Sequence, residues 1–268
     1  MLGVSESGYY RYRITPISQR ESRNEKIKEE IFSIFEESRK TAGTLTLYND
    51  LRVEKGLKVS KKKIREIKRQ NNIYPKSCKK FKATTNSNHS LPVAENILNR
   101  QFEQEKYGNA CVSDITYIPT DEGWLYLAIV KELASKKIIG FSMSERMTKE
   151  LVIRAAKMAI NSGYLNPKCI FHSDRGSQYC SYAYQELLRA NSLVCSMSRK
   201  GNCWDNAPAE SFFATLKKDL IYHQHYKTRE EAEKSIFEHI LIFYNQKRKN
   251  STIGYTTPSE YAKMLLAG

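Results

Sequence analysis

The order of short apolar runs in the carboxy-terminal part of the chain constrains its fold most. Three runs, at residues 111–118, 124–130 and 138–143, are separated by polar turns and predict an antiparallel three-strand meander. The runs that follow predict a helix at 148–162, a strand at 169–173, a helix at 181–190, a strand at 193–197, a helix from about Asn206 and a last helix at 228–244. This order predicts an α/β domain with a mixed sheet, in which three antiparallel strands are followed by α-β-α-β-α.

The amino-terminal part has a different character. Residues 1–20 show no helical or strand period, and we expect an irregular N-terminal segment there. Helical patterns at 22–39, at 45–53 and after Ser60 predict three short helices, of which the last is basic. This arrangement favours a helix-turn-helix-like DNA-binding domain at 21–82, although three-helix bundles have other uses. We expect a linker at 83–106 and the catalytic domain, with a C-terminal helix and tail, at 107–268.

Positive charge is concentrated just after Ser60. The chain of 268 residues carries a formal net charge of +15, and the run 61–82 contains ten basic residues against the single acid Glu66. Clustered Lys and Arg bind the phosphates of a polyanion with little dependence on sequence, whereas a solvated face that binds nothing is the alternative. The predicted DNA-binding residues of this region are Lys61, Lys62, Lys63, Arg65, Lys68 and Arg69.

Composition excludes several classes of protein. No apolar run is long enough to cross a bilayer, and the chain does not open with the pattern of a secretory signal, which predicts a cytoplasmic protein without a membrane partner. The six cysteines are scattered without a C-x-x-C pair, which argues against structural zinc and for reduced thiols.

Three acids stand at positions that suit a metal site. Asp114 interrupts an apolar strand, Asp174 ends a later strand, and Glu210 lies in the first turns of a helix. Taken singly, they also fit a hydrogen-bonded core acid, a strand-end cap and a helix-dipole partner. Chemistry at phosphodiesters uses two Mg²⁺ ions held by carboxylates. We therefore predict that Asp114 bridges both ions and that Asp174 and Glu210 each hold one.

Long ordered motifs extend this pattern. The chain reads Asp-Ile-Thr-Tyr-Ile at 114–118, His-Ser-Asp-Arg-Gly-Ser-Gln-Tyr at 172–179, and Ser-Met-Ser-Arg-Lys-Gly-Asn-Cys-Trp-Asp-Asn-Ala at 196–207, followed by Glu-Ser-Phe-Phe at 210–213. Further motifs lie at 243–248 and 254–258. Together they closely resemble the second-reading-frame product of IS3-family insertion-sequence transposases, over essentially the whole chain.

The resemblance implies a retroviral-integrase-like, RNase H-like core whose triad is Asp114, Asp174 and Glu210, with 35 residues between the last two. It implies an Mg²⁺-dependent transposase, with Mn²⁺ able to substitute, that cuts the ends of its element and joins the 3′ hydroxyl to a phosphodiester. Lys217, two helical turns after Glu210, is expected to touch DNA phosphate. The expected partners are DNA, the upstream-frame product or a frameshift fusion with it, and further copies of the chain on nucleoid DNA.

The other polar residues near the acids leave two interpretations open. Arg175, Gln178 and Tyr179 follow Asp174 and either contact DNA or pack within their loop. Trp204 either stacks on a base or closes the core, and His172 either orients a carboxylate or packs within its strand. The predicted DNA contacts before Glu210 are Lys200, Asn202, Trp204 and Asn206.

Two other functions remain open from the sequence. An RNase H-like nuclease with the same fold would hydrolyse DNA without joining it. A non-catalytic regulatory product of the element would bind DNA while keeping the three acids by descent.

Overall fold

A computed structural model describes residues 5–14, 18–75 and 91–267. The chain divides into two compact units, Met1–Lys76 and Ser77–Gly268. Part of the predicted linker, residues 83–90, lies outside the described residues. Within the described ranges, no helix is both long and apolar enough to cross a membrane.

The first unit is helical and is built around an isoleucine-rich core. Helix α1 spans Glu6–Ile14, α2 spans Gln19–Glu37, α3 spans Thr44–Asn49 and continues as a π-helical turn over Asp50–Glu54, and α4 spans Lys61–Gln70. Ser18 caps α2 through a capping box with Glu21, and Ser60 caps α4 by accepting the Lys63 N–H. The core consists of Ile27, Ile31, Ile34, Phe35, Ala42, Leu47, Leu51, Val59, Ile64, Ile67 and Ile73.

One prediction for this unit needs correction, at the amino terminus. Residues 1–20 are not irregular throughout, because α1 forms within them and α2 begins at Gln19. The described side chains of α1 are exposed, so the helix has no buried apolar stripe from which its period could be read.

The second unit contains a five-stranded sheet in the order β3-β2-β1-β4-β5. Strands β1 (Ala110–Thr120), β2 (Gly123–Glu132) and β3 (Ile138–Ser144) form the predicted antiparallel meander. Strands β4 (Ile170–Ser173) and β5 (Val194–Met197) extend the sheet in parallel to β1. The predicted mixed sheet is confirmed, and β1 is its middle strand.

Helices cover both faces of this sheet. One face packs against α5 (Lys149–Asn161) and α6 (Tyr182–Ala190), whose buried residues share a core with Val130 and Phe171. The opposite face packs against α7 (Ala207–Asp219) and α8 (Arg229–Glu238), whose residues share a core with Val112 and Ile129. The β1 and β4 residues of this second face lead directly to the candidate site.

Two segments of the second unit are more ordered than the sequence predicts. The predicted tail contains helix α9, which spans Pro258–Ala267. Thr257 caps this helix: its hydroxyl accepts the Glu260 N–H, and the Glu260 carboxylate accepts the Thr257 N–H. The Thr-x-x-Glu spacing of this capping box is the sequence signal that could have predicted the helix. Residues 91–106 of the predicted linker pack on the sheet instead, with Leu98 buried and the Ile97 and Leu98 N–H groups bonded to Ser196 Oγ.

A buried carboxylate fixes the turn between β2 and β3. Glu132 is fully buried, and its two oxygens accept the backbone N–H groups of Gly108, Ala134 and Ser135 at 3.3, 2.9 and 2.7 Å. The Ser135 hydroxyl donates to the same carboxylate. Glu132 therefore satisfies buried donors of the turn that no strand partner can reach.

Candidate active site

Asp114 and Asp174 lie side by side because of the parallel pairing of β1 with β4. Val112 is the partner of His172 in this register, and each acid lies two residues farther along its own strand. Asp114 is held in the middle strand, while Asp174 follows the last residue of β4. Both side chains are partly accessible, so a substrate can reach them where β4 ends beside the middle of β1.

The electrostatics show that negative charge is concentrated at this point. Burial, together with the neighbouring charges of Asp174 and Glu210, raises the pKa of Asp114 well above its ordinary value. The Ile115 N–H, which donates to Asp114 Oδ1 at 2.8 Å, and the charge of Lys217 act in the opposite direction. All three acids of the predicted triad therefore influence one another in a single region.

Glu210 enters this region from the first turn of α7. Pro208 stands in the first turn of that helix, where backbone N–H groups have no partner within the helix, so the lack of an N–H in proline costs no hydrogen bond. Glu210 is exposed, and burial of part of its carboxyl group raises its pKa. The helix thus presents the third acid at the rim, beside two acids fixed on the sheet.

The donor set fits a divalent cation. Carboxylate oxygens are the ligands that Mg²⁺ prefers, and Asp114 is a partly buried acid that also feels the negative charges of Asp174 and Glu210. In the part of the chain that the structure describes, no group of three His, Cys, Asp or Glu side chains lies close enough together to hold a metal ion.

Lys217 is not an exposed surface lysine. Its side chain is only 4% exposed, and its ammonium group lies 5.1 Å from the centroid of the Tyr117 ring. Burial lowers the pKa of Lys217 to about 8, against the attraction of Asp114. The side chain is thus buried near Asp114, and its contact with DNA phosphate stays a prediction.

The loop after Asp174 serves mainly to hold that acid. The Gly176 N–H donates to Asp174 Oδ1 at 2.9 Å, and a Cβ added at Gly176 would stand 3.0 Å from the same oxygen. Arg175 Nε donates to the Ser198 carbonyl, and Gln178 Nε2 donates to the Met147 carbonyl at 3.1 Å. Both side chains are partly exposed, so loop packing and DNA contact are compatible for them.

Two predicted DNA contacts are buried instead. Tyr179 is 1% exposed, and its hydroxyl lies 2.9 Å from Ser113 Oγ beneath the sheet. Asn206 is 4% exposed, and its Nδ2 donates to the Ser113 carbonyl at 3.2 Å. Neither side chain faces solvent: Tyr179 packs against the Ser113 side chain, and Asn206 holds the Ser113 backbone next to Asp114.

His172 is a structural residue of the strand. It is fully buried between Ser196 Oγ, 2.9 Å from Nδ1, and Ser198 Oγ, 3.1 Å from Nε2. Ser196 Oγ accepts the N–H groups of Ile97 and Leu98, so its own proton is donated to His172 Nδ1. Ser198 Oγ donates to the Ser173 carbonyl, so it accepts from His172 Nε2. The proton of the ring is therefore on Nε2. Burial lowers the pKa of His172 to about 4, so the ring is neutral at pH 7.

Replacing His172 by Phe should lower the free energy of unfolding by about 2–4 kcal/mol, because two buried serine hydroxyls lose their partner. Urea unfolding of the purified variant measures this change. The matched control is His225→Phe, whose side chain is 77% exposed beside Asp121 and whose loss should change stability by less than about 0.5 kcal/mol. Equal effects of the two substitutions would contradict a structural role for His172.

The loop before α7 contains both exposed and buried groups. Lys200 is exposed, Trp204 is 69% exposed, and Asn202 accepts a hydrogen bond from Arg100 Nη2 at 2.9 Å. Trp204 therefore does not close the core, and its indole is available for stacking. Asp205 was not among the predicted site residues, yet it is fully buried in this loop and is bonded to Arg100 and Arg199.

In the first unit, the basic side chains of α4 divide between two faces. Lys61, Lys62, Arg65 and Arg69 are exposed. Lys63 is partly buried and lies 3.4 Å from Glu66. The prediction is wrong for Lys68, which is 8% exposed with a pKa lowered by burial. Its position four residues after the buried Ile64 was the signal that could have assigned it to the inner face.

Matches to protein families agree with both units. A family described as HTH-like domain matches residues 22–81, and two described as integrase core domain match residues 104–203 and 210–266. A chain of the simian T-cell lymphotropic virus intasome in complex with PP2A regulatory subunit B56 gamma superposes with a TM-score of 0.51 at 15% identity, covering 66% of this chain and 60% of that chain. The fold is thus the RNase H-like fold of integrase catalytic cores, and the protein is a transposase or integrase of this class.

Relatives specify the class further. The "Insertion element IS600 uncharacterized 31 kDa protein" of Shigella sonnei is 43% identical over 261 residues, which cover 97% of this chain and 96% of the relative. The "Transposase InsF for insertion sequence IS3A" of Escherichia coli K12 is 37% identical over 269 residues, covering 100% of this chain and 93% of the relative. The chain belongs to the IS3 family of insertion-sequence transposases, and its partner is DNA.

Proposed function

We propose that this transposase cuts and joins DNA with Asp114, Asp174 and Glu210 as its catalytic and metal-binding residues. The observation that carries the proposal is the juxtaposition of Asp114 and Asp174 on neighbouring parallel strands, with Glu210 close enough to raise the pKa of Asp114. Two neighbouring carboxylates on the sheet, with a third whose charge acts on Asp114, suit phosphodiester chemistry better than a structural role, since buried acids are otherwise costly.

The three acids have different roles in the proposed site. Asp114, on the middle strand, would hold both ions, while Asp174 and Glu210 would each hold one. Two Mg²⁺ ions, or Mn²⁺ in their place, supply the activation of the attacking oxygen and the stabilisation of the leaving one. Asp174 is held for this task by the Gly176 N–H, and Glu210 is carried by the first turn of α7. Lys217 supplies a buried positive charge beside Asp114.

The reaction proceeds in two steps at the same site. Water first attacks the phosphodiester at the element end and breaks its bond to the 3′ oxygen, which leaves a 3′ hydroxyl on the element and a 5′ phosphate on the flanking strand. That 3′ hydroxyl then attacks a target phosphodiester, becomes joined to the target 5′ phosphate and releases a 3′ hydroxyl on the target strand. Around the acids, Lys200 and Arg175 would contact phosphate, Gln178 and Asn202 would contact the strand, and Trp204, which is exposed, would stack on an unpaired base. These groups position DNA while the acids act on it. The protein works on chromosomal DNA in the cytoplasm and as an oligomer on DNA.

A pre-nicked element end tests the proposal directly. Incubated with target DNA and Mg²⁺, the protein should join the exposed 3′ hydroxyl to the target, and an uncut end should be nicked first. Products separated on a denaturing gel measure both steps, and reactions without divalent ions are the control. Cut products without joined products would instead indicate a nuclease that only hydrolyses.

The upstream-frame product is included in a parallel reaction, because we propose it, separately or as a frameshift fusion, as a partner in end recognition. Activity that appears only in its presence would support that partnership. DNA binding without metal-dependent cleavage in either reaction would indicate a regulatory product of the element and contradict the catalytic proposal.

The exposed basic side chains of α4 form the second DNA contact that we propose. Lys62, Arg65 and Arg69 follow one another at helical spacing on the exposed side of α4. Replacing all three by Ala should weaken DNA binding about 10-fold or more at 0.1 M salt. The slope of log K against log salt should become shallower by about one per lost phosphate contact. Fluorescence anisotropy with labelled DNA measures both.

The control for this triple variant is Lys40→Ala, which removes a lysine that is 56% exposed and lies 3.4 Å from Glu36 at the end of α2. It should leave both the affinity and the salt slope unchanged within about twofold. A triple variant with wild-type salt dependence would show that this face of α4 does not bind DNA.

A further inference from the structure

The carboxylate of Asp205 is a buried junction that the proposed chemistry does not use. Asp205 is 0% exposed, and Oδ1 accepts Arg100 Nε at 2.7 Å and Arg199 Nη2 at 2.9 Å. Oδ2 accepts Asn96 Nδ2 at 3.0 Å, Arg199 Nε at 2.9 Å and the Arg199 backbone N–H at 3.0 Å. The hydrogen bond from Arg199 is the largest cause that holds the pKa of Asp205 well below its ordinary value.

These bonds join three parts of the chain at one point. Asn96 and Arg100 come from the segment before β1, Arg199 follows the end of β5, and Asp205 stands just before α7. Arg100 Nη2 also donates to Asn202 Oδ1 at 2.9 Å, so the same arginine holds the loop at two residues. The loop from Ser198 to Asn206 is therefore closed onto the sheet by an ionised carboxylate.

The residues directly after Asp205 connect the held loop to the start of α7. Asn206 Nδ2 donates to the Ser113 carbonyl at 3.2 Å, next to Asp114, and Lys131 Nζ donates to the Pro208 carbonyl at 3.0 Å. Glu210 comes two residues later, and its carboxylate makes no hydrogen bond to the residues that the structure describes. Its place relative to Asp114 is thus set by how the start of α7 is held.

We propose that Asp205 is a positioning residue that holds the first turn of α7 so that Glu210 faces Asp114 and Asp174. This inference rests on the proposed function, because it gives Glu210 a catalytic role. Asp205 touches neither DNA nor the reacting atoms in this proposal. Its arginine partners are half exposed, but they serve to keep the loop closed.

The test compares substitutions at the two ends of α7. Asp205→Asn keeps the size of the side chain and removes the charge that binds both arginines, while Arg199→Lys keeps the charge and removes the two-nitrogen contact. The matched control is Asp219→Asn at the other end of the helix, where Asp219 is also buried and accepts Arg248 Nε at 2.9 Å. If Asp205→Asn fails to fold, Arg199→Lys still tests the proposal, because it weakens the same cluster and keeps its charge.

Three measurements are made on the full chain: hydrogen exchange of the amides at 199–210 without DNA or metal, DNA affinity, and the cleavage rate constant in Mg²⁺ at saturating DNA. Asp205→Asn should speed exchange across the loop and the first turn of α7 and lower the rate constant at saturating DNA about 100-fold, a larger change than any fall in DNA affinity. Arg199→Lys should show the same changes with a fall of about 10-fold. Asp219→Asn should lower stability while its rate constant stays within about threefold of wild type.

A rate constant or an exchange pattern that Asp205→Asn leaves at the wild-type value would overturn the proposal. A variant that loses DNA affinity but keeps the wild-type rate constant at saturating DNA would also overturn it, because the cluster would then serve the DNA contacts of the loop and not the place of Glu210. Hydrogen exchange needs neither DNA nor metal. A wild-type chain that cuts DNA neither alone nor with the upstream-frame product therefore refutes the proposed function, while the exchange comparison still decides whether Asp205 holds α7.

Discussion

Replacing Asp174 by Asn should abolish both end cleavage and strand joining, with rate constants lowered by at least about 1,000-fold, which corresponds to about 4 kcal/mol of transition-state stabilisation. The reason is the loss of one charged oxygen ligand at a position that β4 and the Gly176 N–H hold in place. The amide retains the shape of the side chain, so the fold and DNA affinity should be preserved. Single-turnover cleavage in Mg²⁺ and a binding assay without metal measure the two quantities separately.

The control is Asp121→Asn, the same chemical change in the turn after β1, where the side chain is 54% exposed and lies 3.1 Å from His225. It should leave cleavage and joining within about twofold of wild type. Nicking in Mg²⁺ that survives in Asp174→Asn would contradict the assignment of this acid. Asp114→Asn and Glu210→Gln extend the test to the other two acids, with the same expected loss.

Replacing Glu132 by Gln should lower the free energy of unfolding by about 3 kcal/mol or more. The amide of Gln carries an NH₂ group in place of one carboxylate oxygen. Depending on the orientation of the amide, this NH₂ group would face either the N–H and O–H of Ser135 or the N–H groups of Gly108 and Ala134, so that donors would meet donors. Urea unfolding of the second unit, followed by tryptophan fluorescence, measures this loss.

Glu145→Gln provides the matched comparison for Glu132. Glu145 is 57% exposed and lies 3.6 Å from Arg146 and 3.8 Å from Arg229, distances at which surface ion pairs contribute little. Its substitution should change stability by less than about 0.5 kcal/mol. If both variants unfold at the same urea concentration, Glu132 does not stabilise the turn as its hydrogen bonds indicate.

The sheet could be predicted from the sequence because its strands alternate or run apolar between clear turns. The meander, the two parallel strands and the helices between them lie within a few residues of their predicted bounds. Elements that bury little were not predictable in this way. Helix α1 exposes its described side chains, and α9 is short and begins with a proline, so neither shows a long apolar stripe.

Prediction of the candidate site was limited by burial. Acids that interrupt apolar runs are conspicuous in a sequence, and Asp114 and Asp174 do lie side by side. Polar residues in a loop give no sign of which way they point. Tyr179 and Asn206 therefore looked like DNA contacts although their partner is Ser113, and Asp205 went unnoticed because its arginines, Arg100 and Arg199, are distant or unremarkable in sequence.

The place of β1 in the middle of the sheet has a consequence for how the enzyme fails on heating. Asp114 leaves its position only if β2 or β4 separates from β1, which amounts to melting of the whole second unit. Glu210 stands at the start of a helix at the rim, where fraying is a local event. Thermal inactivation should accordingly begin several degrees below the melting transition, and brief warming should be fully reversible because the sheet still holds two of the three acids.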